Sequence, residues 1–97
     1  MSASLSTHVL DTGRGEPARG VRVELLRGEE HLGDGETDDD GRIPELAAGL
    51  DAGEYRLVFH PPSPFFRRVE FDIVLDDGHY HVPLLVSPYG CASYRGS

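Results

Sequence analysis

The residues best suited to acid–base chemistry gather in one segment of the sequence. HYHVPLLVSPYGCASYRGS, residues 79–97, holds two of the five histidines and three of the four tyrosines, but only one charged side chain, Arg95. An imidazole titrates near neutral pH, so a histidine can accept or donate a proton without a large change in its pKa. A third candidate histidine, His8, lies in STHVLD, and Arg42 in DDDGR offers a planar fork of donors for carbonyl oxygens or negative charge.

The other motifs that could carry chemistry are weak. His79 and His81 would share one face of a strand, but no carboxylate or further histidine is spaced to complete a zinc site. The acids of DGETDDDG lack the spacing and the closing glutamate of a calcium loop. GRGEPARG does not lie between a strand and a helix, as a phosphate-binding loop would. A lone histidine on a strand is more often structural than catalytic, and His31 and His60 are the weakest candidates.

The composition describes a small acidic protein. The chain has 97 residues, of which 17 are acidic and nine are basic, giving a net charge of −8. All of the basic residues are arginine. This length fits a single domain, residues 1–97, with a modest core. An acidic surface without a basic cluster argues against nucleic acid or an anionic membrane as a partner.

The cysteine content and the apolar segments indicate the cellular compartment of the protein. Cys91 is the only cysteine, so no intrachain disulfide can form, which fits a reducing compartment. MSASLSTHVLD has neither the basic region nor the apolar region of a signal peptide. No apolar run approaches the ~20 residues needed to cross a bilayer. The sequence predicts a soluble cytoplasmic protein.

Apolar and polar residues alternate with the period of a β-strand along most of the chain. Seven or eight short strands separated by turn signals, with no helical period, indicate a small antiparallel β-sandwich. The PPSP segment breaks regular structure, and DDG at 76–78 predicts a hairpin between the strands on either side. The strands are expected at 6–11, 21–26, within 29–38, at 43–46, 53–60, 68–75 and 79–87, with a short last segment.

The period of two also assigns faces to the histidines. In the first strand the row expected to face the core is Leu5, Thr7 and Val9. In the 79–87 strand it is Tyr80, Val82, Leu84 and Val86. His8 and His81 then lie on the outer face, where Pro83 and Leu85 are also placed. An apolar outer face usually marks an interface, so we expect another subunit to cover the sheet that carries His81. On the residues alone, the chemistry of that face stays open.

Three stretches together resemble the transthyretin-like hydrolases that act on 5-hydroxyisourate in uric acid degradation: LSTHVLDTGRGEPARGVRVEL, TDDDGRI and YHVPLLVSPYGCASYRGS. The resemblance covers nearly the whole chain, and YRGS separates these hydrolases from the transthyretin hormone carriers of the same fold. It implies a transthyretin-like (prealbumin-like) two-sheet sandwich of about eight strands. It also implies a homotetramer, a dimer of dimers, with active sites between the dimers. The family's short helix should be reduced or absent, because its segment is cut here to HPPSPFFRR.

The resemblance also implies an activity and the residues that carry it. The reaction is hydrolysis of a cyclic amide, which opens 5-hydroxyisourate to 2-oxo-4-hydroxy-4-carboxy-5-ureidoimidazoline. His8, Arg42 and His81 match the catalytic residues, with the histidine pair activating water and the arginine stabilising the substrate. The implied substrate-binding residues are His8, Arg42, Tyr94, Arg95, Gly96 and Ser97. No metal or organic cofactor is implied. The alternatives are a transthyretin-like carrier of a small ligand and a purely structural sandwich.

Overall fold

A computed structural model describes residues 2–96 of the chain. Within that range the secondary structure consists of strands and turns, with no helix. The nine strands are β1 (Ala3–Asp11), β2 (Glu16–Pro17), β3 (Arg22–Arg27), β4 (Glu30–Glu36), β5 (Arg42–Leu50), β6 (Gly53–His60), β7 (Val69–Leu75), β8 (Gly78–Ser87) and β9 (Gly90–Ser93). The all-β class predicted from the sequence is confirmed, and β6 spans the same residues as the strand predicted there.

The strands form two sheets. Sheet A has the order β2-β1-β8-β9, with β5 also paired to β1, and sheet B has the order β4-β3-β6-β7. The pairings in the described range are antiparallel except for that between β1 and β8, which is parallel over nine residue pairs from Ala3–Gly78 to Asp11–Val86. Two strands distant in sequence therefore lie side by side at the centre of sheet A.

The predicted hairpin at 76–78 is wrong. β7 is an edge strand of sheet B and pairs with β6, whereas β8 pairs with β1 and β9 in sheet A. The turn residues, with Gly78 at a φ of +93°, carry the chain from one sheet to the other. The Tyr80 hydroxyl accepts a hydrogen bond from the Asp76 amide (3.0 Å) and closes this connection.

The connection between β6 and β7 contains neither strand nor helix, which confirms the expected loss of the family's helix. Three prolines in residues 61–64 remove backbone donors and fix φ, so a helix cannot form there. Ser63 holds the connection in place, because its hydroxyl donates to the Pro88 carbonyl (2.9 Å) and accepts from the amides of Phe65 (3.1 Å) and Phe66 (2.9 Å).

The inner faces of the two sheets supply the core, as the alternation predicts. Leu5, Thr7 and Val9 of β1 are at most 1% exposed. From β8, Val82, Leu84 and Val86 are buried, and Tyr80 packs against the cluster. Sheet B contributes Val23, Leu25, Leu57 and Phe59, none of which is exposed. Burial of each large apolar side chain contributes about 1.5–3 kcal/mol, so this packing fixes which face of β1 and β8 points outward.

No helix among residues 2–96 is long and apolar enough to cross a membrane.

Candidate active site

The outer face of sheet A brings His8, Arg42 and His81 together through the register of three strands. In the parallel ladder, Ser6 lies opposite His81 and His8 lies opposite Pro83. In the antiparallel ladder between β1 and β5, His8 lies opposite Arg42. Residues directly opposite one another on neighbouring strands point to the same face of a sheet, so the two histidines are diagonal neighbours. The predicted outward placement of His8 and His81 is confirmed.

A tight turn before β5 presents Arg42 to β1. The Asp38 carboxylate accepts hydrogen bonds from the amides of Asp40 and Arg42, both at 2.9 Å, and the Gly41 carbonyl accepts from the Val9 amide at 2.7 Å. Gly41 has a φ of +75°, and a Cβ at this position would lie 2.5 Å from the Val9 carbonyl oxygen. Only glycine fits there, so the DDDGR sequence fixes both the turn and the approach of Arg42 to His8.

The same turn sets the orientation of the His8 ring. His8 Nε2 lies 2.8 Å from the carbonyl oxygen of Asp40. Because a carbonyl can only accept, Nε2 carries the hydrogen and donates it. In the neutral ring, Nδ1 then holds the lone pair and is free to accept a proton from water or from a substrate. The position of Arg42 and the tautomer of His8 therefore depend on one short segment of backbone.

His81 lies in a setting that favours its neutral form. The ring is half-buried, and burial lowers its pKa, with further lowering from repulsion by the charged forms of His8, Arg42 and His79. Its Nδ1 atom lies 2.7 Å from the Ser6 hydroxyl, which leaves Nε2 as the ring nitrogen available to a substrate. At neutral pH the ring is uncharged and can act as a proton acceptor.

Sequence reasoning missed a hydrogen-bonded group next to His81. The Ser6 hydroxyl also lies 2.8 Å from His79 Nε2, and His79 Nδ1 lies 2.7 Å from the Ser4 hydroxyl. The alternation places Ser4 and Ser6 on the same outward row of β1 as His8. Their contact with His79 and His81 could not be predicted, because it depends on the parallel pairing of β1 with β8.

The tail after β9 runs back along β8 toward His81. The Gly96 amide donates to the His81 carbonyl at 2.6 Å, and a Cβ on Gly96 would lie 2.9 Å from His81 Cδ2. Tyr94 is 56% exposed. The Arg95 guanidinium lies 4.2 Å from the centre of the Tyr80 ring, on the inner row of β8. Tyr80, Tyr94 and Arg95 line a groove of about 330 Å³ at the open edge between the sheets. Ser97 lies outside the described residues.

The assembled face suits hydrolysis of a carbonyl compound. It offers a neutral imidazole with an available nitrogen, a second imidazole whose Nδ1 is free in its neutral form, and a guanidinium that can hold an oxyanion. In the part of the chain that the structure describes, no three His, Cys, Asp or Glu side chains are arranged to hold a metal ion.

Comparison with known proteins gives matches along nearly the whole chain. Residues 5–96 match the family model of the HIUase/Transthyretin family. The chain is 42% identical over an alignment of 120 residues to 5-hydroxyisourate hydrolase 2 of Rhizobium meliloti, covering 99% of this chain and 98% of the relative. It is 44% identical over 115 residues to the 5-hydroxyisourate hydrolase of Caulobacter vibrioides, covering 98% and 99%. Both alignments exceed 97 positions, so both relatives carry residues without a counterpart here.

Two solved structures are similar to this fold. The structure of Klebsiella pneumoniae 5-hydroxyisourate hydrolase superposes with a TM-score of 0.89 at 40% identity, covering 98% of this chain and 99% of that one. The crystal structure of an (S)-allantoin synthase superposes with a TM-score of 0.86 at 34% identity. That match covers 99% of this chain but only 44% of the synthase chain. The fold described here therefore corresponds to the whole of the first protein and to part of the second.

Proposed function

Since the chain belongs to the HIUase/transthyretin family, we propose that it hydrolyses 5-hydroxyisourate, the compound for which its relatives are named. The observation that carries the proposal is the meeting of His8, Arg42 and His81 on the outer face of sheet A. The reaction is that of a cyclic amide hydrolase: water attacks a ring carbonyl carbon, the C–N bond breaks, and the departing nitrogen takes a proton. The product is 2-oxo-4-hydroxy-4-carboxy-5-ureidoimidazoline.

The roles of the three side chains follow from their settings. Arg42 holds the carbonyl oxygen and stabilises the negative charge that forms on it when water adds. His8 and His81 share the attacking water, His81 through Nε2 and His8 through Nδ1. The depressed pKa of His81 supports its role, because the ring is neutral when the substrate binds. The hydrogen bond from His8 to the Asp40 carbonyl supports the orientation of the second ring.

We also propose that the tail completes the substrate pocket with Tyr94, Arg95, Gly96 and Ser97. The hydrogen bond between the Gly96 amide and the His81 carbonyl supports this, because it anchors the tail beside the catalytic ring. Arg95 contacts Tyr80 in its own chain, away from His81. We propose that Arg95 makes its substrate contact in the site of a neighbouring subunit.

The proposed assembly is a homotetramer, a dimer of dimers, of the single domain formed by residues 1–97. Leu85 supports it, because this half-buried side chain places apolar surface on the outer face of sheet A that carries the histidines, whereas Pro83 is already buried within the chain. Light scattering coupled to size exclusion should give four times the mass of one chain at micromolar concentration. A monomer under those conditions would contradict the covered face.

We place the protein in the cytoplasm, as the free thiol of Cys91 suits a reducing compartment.

A direct assay tests the proposed function. Urate oxidase generates 5-hydroxyisourate from urate, and the decay of the intermediate is followed by its ultraviolet absorbance. We expect the decay rate to rise in proportion to the concentration of the protein, and the reaction to yield the ring-opened product. Decay at the spontaneous rate, whatever the concentration, would disprove the hydrolase. Saturable binding of the substrate without turnover would favour the carrier instead.

A further inference from the structure

We propose that Ser6 and His79 form a proton relay between His81 and solvent. The proposal rests on the proposed function and adds to it two residues that need not touch the substrate. The hydrogen bonds run without a break from His81 Nδ1 to the Ser6 hydroxyl (2.7 Å), from there to His79 Nε2 (2.8 Å), and from His79 Nδ1 to the Ser4 hydroxyl (2.7 Å). In the single chain, His79 and its bond to Ser4 are exposed, so the hydrogen-bonded chain ends at the surface of the subunit.

The parallel ladder creates this chain of hydrogen bonds. Ser4 lies opposite His79 and Ser6 lies opposite His81, and all four side chains point to the outer face of sheet A. Ser6 is only 7% exposed, so the two imidazoles take the place of water as partners of its hydroxyl. A hydroxyl buried between two ring nitrogens is held in a fixed position, as transfer of protons along hydrogen bonds requires.

The count of hydrogens allows two arrangements of the relay. A hydroxyl has one proton, so Ser6 must donate to one imidazole and accept from the other. In the first arrangement His81 Nδ1–H donates to Ser6, Ser6 donates to His79 Nε2, and His79 Nδ1–H donates to Ser4. His81 Nε2 then carries the lone pair. In the second arrangement every donor and acceptor is exchanged, and His81 Nε2 carries the hydrogen. Both histidines are neutral in each arrangement.

Catalysis converts the first arrangement into the second. As His81 Nε2 takes a proton from the attacking water, the Nδ1 proton passes to Ser6, the Ser6 proton passes to His79 Nε2, and the His79 Nδ1 proton leaves through Ser4 to solvent. One proton enters the relay and one departs. In the reverse sequence, Nε2 gives its proton to the departing nitrogen while a proton from solvent passes through Ser4, His79 and Ser6 to His81 Nδ1, which restores the first arrangement. His81 thus avoids a positive charge beside Arg42, which matches the setting that disfavours its charged form.

Two substitutions at Ser6 separate a relay from a structural role. Ser6→Thr keeps the hydroxyl and is expected to retain kcat within a few-fold. Ser6→Ala breaks the relay and is expected to lower kcat by about a hundredfold, the lower end of what positioned acid–base groups contribute. In mixtures of H2O and D2O, kcat of the wild type and of Ser6→Thr should fall along a curve, because several protons move together. The Ser6→Ala protein should give a straight line.

His79→Ala tests the exposed end of the proposed relay, because the fold easily tolerates the loss of a side chain there. We expect kcat to fall by about tenfold, less than for Ser6 because solvent can reach this point. Imidazole added to the solution should restore part of that loss, after subtraction of the buffer-catalysed decay of the substrate. His31→Ala removes an exposed histidine of sheet B and should change neither kcat nor its response to imidazole.

The outcomes distinguish the relay from the function on which it rests. If the wild type does not accelerate the decay of 5-hydroxyisourate, the hydrolase itself is wrong. If the wild type is active and Ser6→Ala matches Ser6→Thr in kcat and in its dependence on D2O, the relay is overturned. A Ser6→Ala protein that is slow but keeps the curved dependence would likewise overturn it, because Ser6 would then only support the fold. Full activity of His79→Ala without imidazole would exclude His79 as the exit.

Discussion

Replacing His81 by asparagine is expected to lower kcat/KM for 5-hydroxyisourate by about a thousandfold, within the range of about 10²–10⁴ that a positioned acid–base group supplies. The asparagine amide can still hydrogen-bond to Ser6 where Nδ1 does in the native protein. It cannot accept a proton at neutral pH, so the loss should appear in kcat rather than in KM. The measurement is the decay of 5-hydroxyisourate at concentrations of substrate below and above KM.

The fold should survive this change. The contact between the tail and β8 uses the backbone carbonyl of residue 81, which the substitution leaves in place. The inner row of β8 is also untouched, so we expect the melting temperature to shift by only a few degrees, corresponding to about 1 kcal/mol. His60→Asn, on sheet B, is a matched control that should keep full activity. A His81→Asn protein within tenfold of the wild type would remove His81 from the catalytic role.

Two substitutions of Arg42 are expected to separate the effect of its charge on activity from the effect of its guanidinium geometry. Arg42→Gln removes both the charge and the guanidinium fork, and should cost about 10²–10³ in kcat, as does loss of a donor to a developing oxyanion. Arg42→Lys keeps the charge but loses the fork, and we also expect it to lose most of the activity. The backbone of residue 42 donates to Asp38 in all three proteins, so the turn should persist.

The pH dependence of kcat/KM distinguishes the two variants. Burial is the largest cause of the lowered pKa of His81, and the charges of His8 and then Arg42 lower it further. Removing the Arg42 charge should therefore raise the pKa of His81, so that Arg42→Gln loses activity at a higher pH than the wild type as the solution is acidified. Arg42→Lys should keep the wild-type acid limb. An acid limb in the same place for all three proteins would show that His81 does not titrate in this step.

The elements whose pattern is local were predicted well from the sequence. A strand alternates every two residues whatever it pairs with, so the outward placement of His8 and His81 followed from their neighbours in the chain. The residues that fill the core on β1 and β8 followed for the same reason. The tight turn at DDDGR was also predictable, since Asp and Gly favour its backbone conformation.

The features that depend on distant pairing were not predictable from the pattern. The DDG turn is as suitable for a hairpin as for a crossing between sheets, and the partner of β8 decides between them. The contacts of Ser6 with His79 and His81 need the register of that same pairing. The orientation of His8 depends on a backbone carbonyl, a group that every residue carries and that no sequence motif distinguishes.

The parallel pairing of β1 with β8 also affects how the chain folds. The contacts that join Ser4 and Ser6 to the two histidines span 73 to 75 positions in the sequence. Closing so long a loop lowers the conformational entropy of the chain before any contact can compensate for the loss. Such pairs therefore form late and slowly. During synthesis, β3 can pair with β4 and then with β6 as soon as these strands emerge, while β1 waits for β8 with one edge unpaired. Catalytic activity should therefore be the last property that the folding chain acquires, and a nascent chain stalled before β8 would present that open edge to other chains.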